Sequence, residues 1–260
     1  MSATDIGVNF HSSQLRGLAA ELLERARVAG VGRVIATGTS LAASRSALAL
    51  ARAHAGVWAT AGVHPHDARH CDTQTLQALQ TLWREPRVVA VGECGLDYDR
   101  MFSPADVQRR VFEHQIEAAI AVGKPLFLHC RAAFDDFRAL LKSASQAGVH
   151  GVVHCFTGDA DQARQFLDMG FDIGVTGWIT DQARGQDLRD AMRAVPLDRL
   201  HLETDAPYLR PRNADKTRPY NEPALLPFIA RAVAELKGLE AGEVAEQAAR
   251  NSARLFALGD

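Results

Sequence analysis

The chain has 260 residues and a mass of 28.2 kDa, which leaves open one large domain or two smaller ones. Apolar residues make up 47% of it and charged residues 23%, a balance that excludes intrinsic disorder as the main state. The formal charge of −2 excludes attraction of the whole molecule to nucleic acid or to an anionic membrane, so any polyanion has to be bound locally.

Targeting and disulfide signals are missing from the sequence. No apolar run approaches the roughly 18 residues that a membrane span needs, and the polar start from Met1 to Asp5 has no signal-peptide pattern. The four cysteines form no Cys-x-x-Cys pair and are too few for a disulfide scaffold. We therefore expect a cytoplasmic monomer with reduced thiols and no membrane association.

Eight short apolar runs, rich in Val, Ile and Phe, predict eight strands along the chain. They cover residues 5–10, 33–38, 57–63, 88–93, 125–130, 151–156, 171–177 and 200–205. Segments with helical apolar spacing alternate with these runs. The clearest predicted helices are 41–54, 105–122, 134–147, 222–237 and 241–255.

The spacing of the strands indicates the fold. Successive runs are about 28 residues apart, the length of one βα unit, and eight such units predict an α/β protein with a (β/α)8 TIM barrel. We expect one domain over residues 1–260. The alternative is an open doubly wound sheet, which usually begins with a Gly-rich phosphate turn that Gly7-Val8-Asn9-Phe10 does not resemble.

Residues of the kind that bind metals stand at the ends of four predicted strands: Glu93, His129, His154 and Asp205. Because the carboxyl ends of barrel strands meet at one rim, these side chains could hold a divalent cation. A single histidine at a strand end is more often a buried residue with satisfied hydrogen bonds. Four residues at matching positions favour a metal site over a buried hydrogen-bond network.

Three cysteines, Cys94, Cys130 and Cys155, each follow one of these residues directly. Adjacent strand residues face opposite ways, so we expect the thiols to face the helices and to behave as small buried apolar groups. A thiolate cluster of the zinc type is the alternative, and it would require the cysteines to converge instead of the histidines.

Further polar residues on the loops after the strands are candidates for substrate contacts. His64 and His66 follow the third strand, where a histidine can position a phosphate, hold a water or pass a proton, or else cap a turn. Asp97 could orient a metal ligand or steady its loop. Arg131 follows His129 by two residues and suits a phosphate or a carboxylate.

The loop after Asp205 combines basic and aromatic residues. It contains Tyr208, Arg210, Arg212, Lys216, Arg218 and Tyr220. Basic and aromatic side chains together are typical of single-strand contacts, although an ordinary solvated loop can have the same composition.

Five motifs occur in order at βα spacing. They are Gly62-Val63-His64-Pro65-His66, Gly92-Glu93-Cys94-Gly95-Leu96-Asp97, His129-Cys130-Arg131, His154-Cys155-Phe156-Thr157-Gly158 and Glu203-Thr204-Asp205-Ala206-Pro207-Tyr208-Leu209. Together they resemble the TatD family of metal-dependent deoxyribonucleases, nearly from end to end. The resemblance implies a barrel of the amidohydrolase type that hydrolyses phosphodiester bonds with a divalent cation, expected to be Mg²⁺.

For the branch that the chain resembles most, the activity implied is 3′-to-5′ exonuclease action on single-stranded DNA or RNA, in keeping with repair or turnover of damaged nucleic acid. Carried over by motif, Glu93, His129 and His154 hold the metal, and Asp205 is a ligand or the base that deprotonates the attacking water. His64 lies beside them as a further catalytic residue. His66, Arg131, Tyr208 and Arg210 are the expected substrate contacts.

One departure from the family concerns the first strand. Most members have Asp-x-His-x-His there, whereas this chain has Gly7 and Asn9 in place of the two histidines. We therefore expect one tightly held metal and a weak second position that fills only with substrate. Catalysis by a single ion stays open, and the two-metal route is in doubt.

Two other functions fit the same residues. One is a hydrolase of small-molecule amides or lactones, or a deaminase, because barrel and ligands do not determine the substrate. The other is a scaffold without catalysis, in which the metal only stiffens a surface that binds nucleic acid or a protein. The basic and aromatic loop favours a phosphate-bearing substrate.

Overall fold

The structure is a computed structural model that describes residues 2–215 and 219–259. All eight predicted strands are present. They are β1 (Ala3–Val8), β2 (Val31–Ala36), β3 (Val57–Ala61), β4 (Val88–Asp97), β5 (Leu126–Arg131), β6 (Gly151–Val153), β7 (Phe171–Val175) and β8 (Leu200–Leu202). Strand β4 is four residues longer than predicted, and β6 and β8 are shorter.

The helices also follow the predicted pattern. They are α1 (Ala19–Val28), α2 (Leu41–Ala53), α3 (Thr73–Trp83), α4 (Ala105–Val122), α5 (Phe134–Gln146), α6 (Ala160–Asp168), α7 (Gln186–Ala194), α8 (Leu226–Lys237) and α9 (Ala241–Leu255). The helix predicted for 222–237 is interrupted, because a short 3₁₀ turn at Pro223–Leu225 precedes α8. None of the described helices is both long and apolar enough to cross a bilayer.

The strands form one eight-stranded sheet whose order is their order along the chain. The end of β1 lies beside the segment after β8, since Asp205 N–H donates to Gly7 O at 2.9 Å and Asn9 N–H donates to Ala206 O at 2.7 Å. This order is that of the (β/α)8 barrel and confirms the predicted fold class. The doubly wound alternative is wrong, because its strand order reverses at a switch point.

The chain falls into two compact units. The central unit comprises Ala36–His154 with Asp168–Phe171, and the terminal unit comprises the rest of the described chain. Strands β3 to β6 lie in the central unit, and β1 and β8 lie in the terminal unit. The expectation of a single domain over residues 1–260 stays a prediction.

In the central unit, α4 combines apolar packing with two buried glutamines. Phe112 of α4 stacks on Phe137 of α5 with ring centroids 5.3 Å apart. Gln115 binds both backbone groups of Val63, accepting from N–H at 2.8 Å and donating to the carbonyl at 3.0 Å. Gln108 does the same for Asp97, at 2.9 and 3.0 Å. Helix α4 therefore holds the segment after β3 and the end of β4 in place through buried hydrogen bonds.

In the terminal unit, buried polar side chains tie β1, β8 and α9 together. The oxygens of the Asp5 carboxyl group accept from the backbone N–H and the hydroxyl of Thr204 at 2.9 and 2.6 Å, and burial raises the pKa of this group to about 8. Asn251 of α9 donates to the carbonyl oxygens of Leu197 and Leu200, both at 2.8 Å. These contacts satisfy backbone groups at both ends of β8.

Candidate metal centre

Strand β4 places Glu93 close to strand β5. Pairing shifts register between Gly92 and Cys94, and Gly95 lies opposite His129. A Cβ on Gly95 would stand 1.9 Å from the carbonyl oxygen of His129, and its φ of +142° favours glycine. Only glycine permits this approach. The prediction that Glu93 ends its strand is wrong, because after this irregularity β4 continues to Asp97.

Three imidazole rings converge on one oxygen of Glu93. His154 Nε2, His129 Nδ1 and His64 Nε2 lie 2.8, 3.2 and 3.3 Å from Glu93 Oε1. The side chains of Glu93 and His154 are 6% and 3% exposed, and those of His64 and His129 are 12% and 18% exposed, so the cluster is largely buried and opens to solvent on the side of His64 and His129. The structure thus brings together four of the residues that the sequence singled out.

Burial and charge give these side chains unequal protonation. Burial by itself raises the pKa of Glu93, but the charges of His154 and His64 and the hydrogen bonds from His129 and His154 hold that pKa well below its usual value. Burial lowers the pKa of His64 to about 4, against the attraction of Glu93. At neutral pH the cluster therefore contains an anionic carboxylate and a neutral His64.

The donor set fits a divalent cation. Carboxylate oxygen and imidazole nitrogen are the usual ligands of divalent transition metals. Ligand atoms of His64, Glu93 and His129 all lie within 4.8 Å of one another. A carboxylate oxygen has two lone pairs, so it cannot accept three equally well-aligned hydrogen bonds from three imidazoles. A cation bound among the rings could accept the lone pairs of several of them.

A second carboxylate, Asp97, orients two of the rings. Its Oδ2 lies 2.8 Å from His66 Nε2 and 3.2 Å from His129 Nε2. Burial raises the pKa of Asp97, but the hydrogen bonds from His129 and His66 outweigh it and lower the pKa. Both ring nitrogens of His129 face carboxylate oxygens, and its hydrogen bonds to Asp97 and Glu93 raise its pKa against the effect of burial. With a cation bound, Asp97 would accept the Nε2 proton, and the Nδ1 lone pair would be available to the metal. This is the arrangement in which a carboxylate prepares a histidine for a metal.

His64 has the opposite tautomer. Its Nδ1 accepts the backbone N–H of His66 at 3.1 Å and caps the 3₁₀ turn Pro65–His70. A neutral ring that accepts at Nδ1 carries its proton on Nε2. His64 Nε2 therefore faces Glu93 as a hydrogen-bond donor, which suits a polar contact better than metal ligation.

Asp205 lies in the terminal unit, on the segment after β8. The side-chain amide of Asn9 donates to Asp205 Oδ1 at 2.8 Å. Asn9 is one of the two positions at which the family resemblance implies a histidine, and its side chain is a hydrogen-bond donor to this carboxylate. The sequence analysis noted the replacement but did not find this partner, because the two residues are 196 positions apart.

The other predicted substrate contacts are distributed between the two units. In the central unit, Arg131 Nη2 pairs with Asp99 at 3.1 Å and is 52% exposed. In the terminal unit, Tyr208 is half-exposed and Arg210 donates to the carbonyl of Tyr220 at 3.0 Å. Arg210 also lines a cavity of about 220 Å³, together with Trp178, Arg184 and Arg212 among others. Lys216 and Arg218 lie outside the described residues.

The three cysteines next to the candidate ligands differ in burial. Cys94 is buried, as predicted, and burial raises the pKa of its thiol. Cys130 and Cys155 are only partly buried. Within residues 2–215 and 219–259, the group of converging ligand atoms contains histidine and glutamate and no cysteine, which argues against a thiolate cluster.

The chain is similar to known proteins over nearly its whole length. The profile of the family described as TatD related DNase matches residues 4–257. The 3′-5′ ssDNA/RNA exonuclease TatD of Klebsiella pneumoniae strain 342 is 46% identical over 257 residues, which cover 98% of this chain and 97% of that protein.

Solved structures are similar to the chain as well. The crystal structure of YJJV, a TatD homologue from Escherichia coli K12, has a TM-score of 0.90 and 32% identity, covering 99% of this chain and 98% of that one. An uncharacterised amidohydrolase from Saccharomyces cerevisiae, 21% identical with a TM-score of 0.82 and covering 98% of this chain and all of that one, shares the fold. The chain belongs to the family of TatD-related DNases.

Proposed function

We propose that this protein is a metal-dependent 3′-to-5′ exonuclease that hydrolyses phosphodiester bonds in single-stranded DNA and RNA. The convergence of three imidazoles on Glu93 carries the proposal, because it supplies the donor set of a metallohydrolase. The polarity and the substrate class follow the name of the Klebsiella pneumoniae relative, which matches over nearly the whole chain.

The residues that would hold the cation are Glu93, His129 and His154, with Asp205 as a further ligand or as the base. When bound, a divalent cation supplies Lewis-acid polarisation of a phosphoryl oxygen and lowers the pKa of a coordinated water. Family resemblance favours Mg²⁺. The imidazole-rich donor set also suits Mn²⁺ and Zn²⁺, so the metal has to be identified by experiment.

The protein's own side chains perform the remaining steps. The Asp205 carboxylate, oriented by the Asn9 amide, accepts the proton of the attacking water. His64, neutral because of burial, donates its Nε2 proton in a hydrogen bond to a phosphoryl oxygen. His66, hydrogen-bonded to Asp97 and one-third exposed, contacts the departing nucleotide.

Arginine and tyrosine side chains would hold the rest of the strand. Arg131, Tyr208 and Arg210 are exposed or line a basic cavity, where guanidinium groups suit phosphates and aromatic rings suit bases. Local binding of this kind is needed because the chain as a whole is slightly negative. We further propose that the protein acts as a monomer in the cytoplasm.

The test uses purified protein and oligonucleotides of DNA and RNA labelled at the 5′ end. With Mg²⁺, Mn²⁺ or Zn²⁺ added, we expect a ladder of products that shortens one nucleotide at a time, and none with EDTA. The same strand labelled at the 3′ end should release a labelled mononucleotide first. Glu93→Gln is the matched inactive control.

Two results would contradict the proposal. Hydrolysis of amide or lactone substrates without cleavage of either nucleic acid would favour the small-molecule hydrolase. Chelation that lowers thermal stability, in a protein that binds the strand and cleaves nothing, would favour the scaffold without catalysis.

A further inference from the structure

The loop between β4 and α4, residues 98–104, exposes two adjacent apolar side chains. Met101 is 47% exposed and Phe102 is 51% exposed. Isolated exposed apolar residues are common on protein surfaces. This pair differs because the loop that carries it is fixed by hydrogen bonds on both sides.

On the strand side of the pair, Asp97 Oδ1 accepts the backbone N–H groups of Asp99 and Arg100 at 3.0 and 2.9 Å. On the helix side, the buried hydroxyl of Ser103 accepts from Arg69 N–H at 2.9 Å and donates to the carbonyl of His66 at 3.1 Å. The loop is therefore anchored by hydrogen bonds on both sides of the pair, and it presents Met101 and Phe102 to solvent in a defined position.

Phe102 is also in direct contact with the candidate site. Its ring lies edge-on to His66, with centroids 4.8 Å apart and an interplanar angle of 79°. The His66 ring is 4.3 Å from that of His64, whose Nε2 faces Glu93. Two ring-to-ring steps thus connect an exposed aromatic side chain to the carboxylate of the metal centre.

We propose that Phe102 is a stacking platform for the nucleobase of the terminal nucleotide, the one that the reaction releases. The inference rests on the proposed function. The phosphate that the metal centre would bind is covalently attached to the nucleoside that is released. The base of that nucleoside therefore lies no farther from Glu93 than the length of one nucleotide. Phe102 offers an exposed aromatic ring that is connected to Glu93 through the rings of His66 and His64, and the neighbouring Met101 is exposed as well.

The chemistry of the contact predicts its selectivity. Every base has a π-face, so stacking on Phe102 accepts all four bases alike. A base that is paired and stacked inside a duplex cannot also stack on the protein. Phe102 would therefore help to select single strands, without any hydrogen bond to a base edge.

The test compares two strands, one with an ordinary 3′-terminal thymidine and one whose 3′-terminal residue lacks a base. We expect the wild-type protein to cleave the first with a kcat/KM about tenfold higher, the order of effect of one stacked base. Phe102→Ala should lose this preference by raising KM for the ordinary strand, and it should cleave the abasic strand at the wild-type rate. Phe102→Trp should keep the preference.

Ile120→Ala is the matched control, because Ile120 of α4 is 47% exposed in the same unit and lies outside the candidate site. It should leave both rates unchanged, and none of these variants should change the thermal unfolding temperature by more than a few degrees, since the side chains are half-exposed. A Phe102→Ala protein that retains the preference, or loses both activities equally, overturns the stacking role alone. A wild-type protein that cleaves neither strand overturns the nuclease proposal and this inference with it.

Discussion

Each unit contains a buried group of histidine and carboxylate side chains. The two groups differ in the number of imidazole rings that face each carboxylate oxygen. In the terminal unit, His201 has one partner for each ring nitrogen: Ser252 Oγ lies 2.9 Å from Nδ1, and Asp172 Oδ2 lies 3.0 Å from Nε2. In the central unit, three imidazoles share one oxygen of Glu93.

The difference distinguishes a cluster whose hydrogen bonds are paired one to one from the cluster that we propose binds a metal. Burial raises the pKa of Asp172, but His201 and Arg199 outweigh burial and lower it, so the Asp172–His201 pair is complete as it stands. A buried histidine with a partner on each nitrogen stabilises the fold. In the central cluster three imidazole nitrogens instead point at one carboxylate oxygen, and imidazole nitrogen and carboxylate oxygen are the atoms that a divalent cation binds.

Glu93→Gln should have the largest effect on the reaction. An amide cannot replace the anionic oxygen on which the imidazoles converge, so kcat/KM should fall by about 1,000-fold or more as Lewis-acid assistance is lost. Calorimetric titration with Mn²⁺ should show that binding is abolished. Activity in the variant that resists EDTA would show that the central cluster is structural, like that around His201.

Asp205→Asn should reduce kcat by about 100- to 10,000-fold, the contribution typical of a general base. Calorimetry should show metal binding close to that of the wild type, because Glu93, His129 and His154 remain. This pattern separates a base from a main ligand. Loss of Mn²⁺ binding in step with kcat would instead make Asp205 a principal ligand.

Asp97→Asn should weaken metal affinity by about 10- to 100-fold, because the carboxylate that orients His129 is lost while every ligand remains. Raising the metal concentration should restore most of the activity. Asp135→Asn, at an exposed position of α5 in the same unit, is the control and should bind metal as the wild type does. An unchanged affinity in Asp97→Asn would reduce Asp97 to a residue that only steadies its loop.

Asp172→Asn should leave kcat and KM of the folded protein unchanged and lower the free energy of unfolding at pH 7 by about 3 kcal/mol, since it removes the buried carboxylate that pairs with Arg199. The pKa of Asp172 is lowered in the folded state. Its contribution is therefore complete above the ordinary carboxyl pKa of 3.8 and is lost as the pH falls through the lower pKa of the folded protein.

Urea unfolding between pH 7 and pH 3 should accordingly show the wild type and Asp172→Asn converging as the pH falls. Asp168→Asn, at an exposed position at the end of α6, should follow the wild type throughout. A large loss of kcat in Asp172→Asn would contradict the division of the two clusters into a structural one and a functional one.

Local pattern was sufficient to predict most elements of the fold. The apolar spacing of residues 105–122 predicts α4 with both of its observed ends, and each Val-rich run contains a strand. The predicted end of β4 at Glu93 was wrong, because the continuation of the strand to Asp97 depends on close pairing with β5 at Gly92 and Gly95. Local pattern contains no information about the strand that lies alongside.

The sequence by itself determined which residue types are present, their order along the βα units and the family to which they belong. It did not distinguish His154 from His201, which are both buried histidines on or next to strands. Their roles depend on partners 61 and 29 positions away, Glu93 and Asp172. Only the tertiary structure decides which nitrogen meets which oxygen, because hydrogen bonding and metal binding depend on distances of a few ångströms that sequence separation does not define.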